Sequence, residues 1–200
     1  MQFKDGDLIT ALINGEVDAI AHCCNAQGVM GSGLAKQIRE RLPEAYDAYK
    51  AAPMTLGTNV IADVVGGERK VVNMIAQEFY GRGKRQVHYG ALAKCLLNAP
   101  LACKKLLLQD GLNYGDSRIQ NFKLGVPYKL ASDLAGGDWN VVLELLEAVE
   151  MSGSVKVTHL ATGISVIEDS TRNQWVNREL ALTKLWDEVE GSLEGFAKEF

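Results

Sequence analysis

The chain has 200 residues, a formal net charge of −4 and 47% hydrophobic side chains. That length suffices for one domain with a real core, or one domain plus an appendage, and the composition is not that of a disordered chain. The negative balance argues against non-specific nucleic-acid binding, although a local basic face stays open. No apolar run reaches the length of a membrane span, and the opening Met-Gln-Phe-Lys-Asp is not a signal sequence. Cys23, Cys24, Cys95 and Cys103 lack paired metal-type spacing, so reduced core thiols, no metal and a cytoplasmic location are expected.

In chain order, Phe3 to Gly6 reads as a short strand entry and Ile9 to Gly15 as a brief helix. Asp18 to Cys24 is an apolar strand, followed by a loop with Gly28, Gly31 and Gly33. From Gly33 to Tyr49, Leu34, Ile38, Leu42 and Tyr46 recur every fourth residue, which predicts a helix, kinked or split at Pro43. Leu56 to Val65 and Lys70 to Gln77 form a hairpin pattern about Gly66-Gly67. Residues 78–90 are polar and glycine-spaced, a loop expected on the ligand side. Ala91 to Leu108 is helical in composition, with a kink or break expected at Pro100, and Gln109 to Asn121 reads as an inserted surface loop. Phe122 to Leu130 is expected as a strand, leading to a second glycine loop, Leu134-Ala135-Gly136-Gly137-Asp138-Trp139, and to a helix over Asn140 to Val149. Strands alternating with helices imply an α/β layered fold, with glycine loops at strand ends forming a ligand crevice. After a break at residues 151–154, Val155 to Glu168 reads as a hairpin about Thr162-Gly163, and Arg172 to Glu190 as a helix.

A glycine loop between strand and helix presents bare N–H groups at the positive end of a helix, a geometry suited to phosphate. Two familiar versions fail on residues. A Walker A loop ends in Gly-Lys-Ser/Thr, whereas Gly33 is followed by Leu34-Ala35-Lys36. A dinucleotide fingerprint using Gly31-Ser32-Gly33 would require Gly where Lys36 stands.

The motifs Gly6-Asp7-Leu8, Ala21-His22-Cys23-Cys24-Asn25 and Gly31-Ser32-Gly33-Leu34-Ala35 resemble the opening of a macrodomain, the ADP-ribose-binding fold. The resemblance continues through Val72-Asn73-Met74-Ile75-Ala76-Gln77, Tyr80-Gly81-Arg82-Gly83, Val126-Pro127-Tyr128-Lys129 and Leu134 to Trp139, in the family's order and over residues 1–150. It implies a three-layer α/β/α domain with a central mixed sheet. The chain is most similar to the branch of ADP-ribose-1''-phosphate phosphatases and ADP-ribose deacylases.

The resemblance also implies roles. Asp7, with Leu8 beside it, would accept a hydrogen bond from the adenine amino group, or simply cap the following helix. Asn25 would bond the distal ribose, or cap its own loop. Gly31, Ser32, Gly33 and Leu34 would present N–H groups to the diphosphate, with Leu134, Ala135, Gly136 and Gly137 closing the other side; a Cβ would hold the backbone away. Phe79 or Tyr80 could cover the ligand. His22 could protonate a leaving oxygen or position a water, and equally reads as a hydrogen-bonded core histidine. Asp138 is a candidate acidic partner or the N-cap of the next helix. Gln77 stands where deacylating members carry a Lys that forms a covalent link, and an amide cannot form that imine. Ala135 occupies the position of the assisting acid, and Asp133 replaces a common Gly, which sets a carboxylate near the diphosphate. Hydrolysis of ADP-ribose-1''-phosphate or a related ester without metal or cofactor is the leading expectation, plain ADP-ribose binding the alternative.

Val157-Thr158-His159-Leu160-Ala161-Thr162-Gly163-Ile164, Arg172-Asn173-Gln174 and Asn177-Arg178 resemble part of the catalytic domain of peptide-chain release factors. The Gly-Gly-Gln of that domain is absent, so peptidyl-tRNA hydrolysis is not expected. Residues 151–200 are read as a hairpin–helix extension packed on the main domain, with RNA or ribosome contact as the alternative.

Overall fold

The computed structural model describes residues 1–81, 83–150, 155–158 and 165–168. Two compact units divide the chain, Met1–Leu146 and Glu147–Phe200. The first contains α1 (Leu8–Ile13), β1 (Ala19–Asn25), α2 (Gly33–Arg41), α3 (Pro43–Ala51), β2 (Thr58–Val64), β3 (Arg69–Gln77), α4 (Tyr89–Gln109), α5 (Ser117–Gln120), β4 (Leu124–Gly125) and the start of α6 (Trp139–Glu150). In the second, β5 (Val155–Thr158) pairs antiparallel with β6 (Ser165–Glu168); the turn expected about Thr162-Gly163 and the helix expected over Arg172 to Glu190 lie outside the described residues.

The sheet order is β2-β3-β1-β4, with β1 parallel to both neighbours and β2 antiparallel to β3. This mixed sheet is the expected α/β architecture. Side chains alternate across a strand, so residues in register share a face. Ile20, Val71 and Ala62 are in register and pack with Ile9, Ile38, Leu42 and Ala45, which places α1, α2 and α3 on one face. On the opposite face Asn59 donates to the Cys95 carbonyl and Lys70 reaches Asp110, so α4 forms the other layer.

Pro43 splits the long predicted helix into two. It stands at the first position of α3, where its missing N–H is no loss, and Leu42 both ends α2 and begins α3. Pro100, by contrast, lies inside an unbroken α4, flanked by buried Leu96, Ala99, Leu101 and Cys103. Tertiary packing on both sides of the proline outweighs its local cost.

Two strands expected from the sequence differ. Phe3 to Gly6 forms no strand; these residues are exposed, Phe3 at 65%, and pair with no sheet edge. The Phe122 to Leu130 strand contracts to Leu124–Gly125. Pro127 cannot donate to a ladder, and Lys129 and Ala131 adopt left-handed φ of 55° and 57°. That shortened strand lets the chain turn early toward the second glycine loop.

Lys70 is 1% exposed yet charged, with Nζ 2.5 Å from Asp63 Oδ1 and 2.6 Å from Asp110 Oδ2. Burial alone would lower its pKa, but the hydrogen bonds to Asp110 and Asp63 outweigh burial and raise it. The pair ties β2 and β3 to the end of α4. Lys70→Ala is expected to lower the unfolding free energy by about 2–4 kcal/mol in chemical denaturation. Lys70→Met, which keeps the stem's packing, should recover part of that loss.

Candidate functional site

The C-terminal end of β1 opens on a cleft of about 600 Å³. One wall is the loop from Val29 to Ala35 and the opposite wall runs from Pro127 to Ala135, with Gln77, Tyr80 and Gly81 at one side. The two glycine loops, distant in sequence, therefore face each other.

The first loop is organised by Asn25, 6% exposed at the end of β1. Its Oδ1 accepts from the backbone of Gln27 (3.0 Å) and Val29 (3.2 Å) and from the Tyr49 hydroxyl (3.0 Å), and its Nδ2 donates to the Val29 carbonyl at 2.7 Å. This is the loop-capping role in full. A primary amide carries two N–H donors, so one remains. Gly33 adopts φ +56° at the start of α2, and Ser32, its N-cap, makes no side-chain cap bond. A Cβ on Gly33 would lie 3.3 Å from Leu134 Cδ1, which shows how closely the two walls approach.

The second loop is held by glycine. A Cβ on Gly137 would sit 2.5 Å from the Ala131 carbonyl oxygen, so Gly137 supports the turn rather than lining the cleft. Leu134 and Ala135 line the cleft, and Gly136 lines a second cavity beside it.

The candidate catalytic groups are placed differently. His22 lies on the α2–α3 face of β1, between Ile20 and Cys24, and is 3% exposed. Asn73 Nδ2 donates to the Ala45 carbonyl at 3.0 Å, so its Oδ1 is the acceptor, and His22 Nε2–H donates to it at 2.7 Å. Burial pushes the His22 pKa down to about 4 against the weaker upward pull of Asn73. At neutral pH the ring is a neutral donor at the buried floor of the cleft, which it lines beside Cys23 and Cys24. Asp138 is exposed and does not line the cleft; its Oδ1 accepts from Asn140 N at 2.8 Å, its carbonyl caps α6, and its own N–H donates to the Tyr89 hydroxyl at 2.7 Å.

Asp7 also lies outside the cleft lining. Its Oδ1 caps α1 by accepting from Thr10 N (2.6 Å) and accepts from Arg41 Nη1 (2.8 Å), and these hydrogen bonds, Thr10 first, hold its carboxyl down to about 2. Leu8 packs over Gly125, where a Cβ would lie 2.8 Å from Leu8 Cδ1. Phe79 does not line the cleft; its neighbour Tyr80 does, and so do Pro127, Tyr128 and Lys129, to which the Val126 to Lys129 motif assigned no role. Cys23 and Cys24 both line the cleft, and burial pushes Cys23 up to about 12 and Cys24 well up too, so neither is a thiolate at neutral pH. Among the described residues no group of three or more His, Cys, Asp or Glu side chains could hold a metal ion, and no helix is long and apolar enough to cross a membrane.

His22 sets a pH signature. Its folded pKa of about 4 lies below the ordinary 6.5, so the unfolded chain binds the extra proton and stability falls as pH drops from 6.5 toward 4. Asp7 enters only below its ordinary 3.8, where its stabilisation is lost as pH falls toward 2. Urea unfolding at pH 7 and pH 4.5 should show a loss of about 2–3 kcal/mol in that interval from His22. The interval should flatten in His22→Gln.

No protein-family model matches the chain. Among proteins of known activity, it is 31% identical over 77 residues to the DNA ADP-ribosyl glycohydrolases of Mycobacterium bovis and Mycobacterium tuberculosis. That match takes in 36% of this chain and spans 21% of the length of those relatives. Among solved structures, the macrodomain of Mycobacterium tuberculosis DarG superposes with a TM-score of 0.56 at 21% identity, over 74% of this chain and 87% of that one. The macrodomain of Thermus aquaticus DarG gives 0.54 at 20% identity, over 72% and 85%. The described α/β unit therefore has the macrodomain fold.

Proposed function

We propose that the cleft binds an ADP-ribosyl group. The observation that carries this reading is the convergence of Gly31-Ser32-Gly33 and Leu134-Ala135 on one cleft at the end of β1. Backbone N–H groups of the first loop, at the start of α2 with no acidic residue in its first turn, receive the diphosphate. Leu34 lies behind them and Gly136 with Gly137 shapes the opposite wall. The remaining Asn25 N–H serves a ribose hydroxyl, with Gln77 and Tyr80 beside it. Asp7, at the N-cap of α1, is the acceptor for an adenine amino group in this reading.

Binding without turnover is the function that the geometry supports best. Gln77 cannot form an imine, the His22 ring is neutral and engaged with Asn73, and Asp138 is committed to α6. The second reading is hydrolysis of ADP-ribose-1''-phosphate or another ADP-ribosyl linkage, favoured by the match to DNA ADP-ribosyl glycohydrolases. Water would then attack where the loop amides stabilise developing charge. A third reading concerns residues 151–200, proposed as a hairpin–helix extension whose release-factor-like motif directs the chain to RNA or the ribosome.

Calorimetry should show ADP-ribose binding by the full chain, weakened by about tenfold or more in Gly33→Val, since a β-branched residue cannot hold the left-handed φ there. Absence of binding to the unmodified chain would overturn the proposal. Phosphate release from ADP-ribose-1''-phosphate separates the readings: tight binding with no release establishes a reader, whereas sustained release establishes the hydrolase. An unchanged rate in His22→Ala would then remove His22 from the chemistry. Ribosome co-sedimentation that survives deletion of residues 151–200, or never occurs, would dismiss the tail's targeting role.

A further inference from the structure

Beside the main cleft lies a second cavity of about 440 Å³, lined by Gly83, Lys84, Arg85, Asp133, Leu134 and Gly136. Asp133 and Leu134 line both, so the second cavity adjoins the cleft along these two residues. We propose that this second cavity is an anion subsite, taking a phosphate carried by the group attached to the ADP-ribosyl ligand. The inference rests on the ADP-ribosyl reading of the cleft and adds what lies beyond it.

Charge carries the argument. Lys84 and Arg85 are exposed, and neither has a carboxylate partner among the described residues. Each instead stands over an aromatic ring: Lys84 Nζ lies 5.9 Å from the Phe79 centroid and Arg85 Cζ 4.8 Å from the Tyr89 centroid. A ring face orients a cation without neutralising it, so both charges stay available to an anion. Phe79, absent from the ADP-ribosyl cleft, thereby has a role.

The backbone beneath these cations is fixed. Gln86 N and Val87 N both donate to the Ala135 carbonyl, at 2.8 and 3.2 Å, which ties the loop of Lys84 and Arg85 to the second glycine loop. Gly136 makes the approach possible: it has φ +68°, and a Cβ there would lie 3.1 Å from Arg85 Cα and 3.2 Å from the Lys84 carbonyl oxygen. The cations are thus held along a cavity that shares Asp133 and Leu134 with the cleft. Asp133 is one negative charge against the two positive charges of Lys84 and Arg85 among the described lining residues. A singly or doubly charged phosphate is attracted by the pair and repelled by Asp133.

The test compares affinities of the full chain for ADP-ribose, ADP-ribose-1''-phosphate and the methyl ester of that phosphate. At low salt the extra phosphate is expected to tighten binding by about tenfold, an advantage that shrinks as salt is raised. In the double variant Lys84→Gln/Arg85→Gln the ratio should fall to about one, with ADP-ribose affinity within about twofold of the parent. Asp133→Asn should widen the ratio. Tightening by both phosphate compounds identifies a phosphodiester subsite, and tightening by the monoester alone a terminal-phosphate subsite; either supports the assignment. If ADP-ribose binds and the ratio is already one, or is unchanged in the double variant, the subsite is wrong while the cleft assignment stands. If ADP-ribose does not bind, both fall together.

Discussion

One buried amide sets the geometry of the first loop. Asn25 ends the central strand and satisfies the backbone N–H groups of Gln27 and Val29 while donating to the Val29 carbonyl. Those bonds close the turn that releases Gly31, Ser32 and Gly33 toward solvent. Tyr49 of α3 donates to both the side-chain and the main-chain oxygen of Asn25, so the loop is tied to the helical layer as well as to the sheet. Burial raises the Tyr49 pKa and keeps the hydroxyl a donor. Beside this point β3 carries an irregularity, where Cys24 pairs with Ile75 but Asn25 with Gln77. The displaced register brings Gln77 to the rim of the cleft.

The second wall is positioned by packing and capping rather than by a buried amide. Gly137 lies too close to the Ala131 carbonyl for any side chain, and Asp138 ties the exit of the loop to Tyr89 of α4 and to the first turn of α6. The residue that looked like an acid in the site is thus the clasp that holds the wall in place. The same economy applies to His22, whose Nε2–H joins β1 to Asn73 of β3 and, through Asn73, to α3.

Much of this was legible in the chain, and the failures have physical reasons. Alternation and turn chemistry marked the β2–β3 hairpin about Gly66-Gly67, and Pro43 marked the division of α2 from α3. The orientation of His22 was not legible, because β1 is buried along nearly its whole length and carries no polar alternation. The strand expected over Phe122 to Leu130 failed because apolar composition does not register that Lys129 and Ala131 turn left-handed. Asp138 was ambiguous for a different reason: an N-cap and a cleft carboxylate require the same residue in the same loop, and only the distance to α6 separates them. The choice between Phe79 and Tyr80 likewise depends on which way a glycine-rich loop turns, which local pattern does not encode.

The sheet divides its work along its length. At the end where β1 and β3 begin, Ala19 is in register with Lys70, and buried Lys70 joins two strands to α4 through Asp63 and Asp110. At the other end, where both strands finish, the cleft opens. The ionised groups of the sheet are concentrated at the first end. The floor of the cleft, by contrast, is built from a neutral imidazole, protonated thiols and two amides, Asn25 and Gln77. The charged side chains that line it, Lys129 and Asp133, belong to the second wall. A floor of oriented dipoles suits a diphosphate, since it supplies donors without placing a fixed anion beneath the ligand. In the proposed reading, recognition of an ADP-ribosyl ligand rests on the loops, and discrimination among such ligands falls to the charged rim around Asp133, Lys84 and Arg85 rather than to the buried strands.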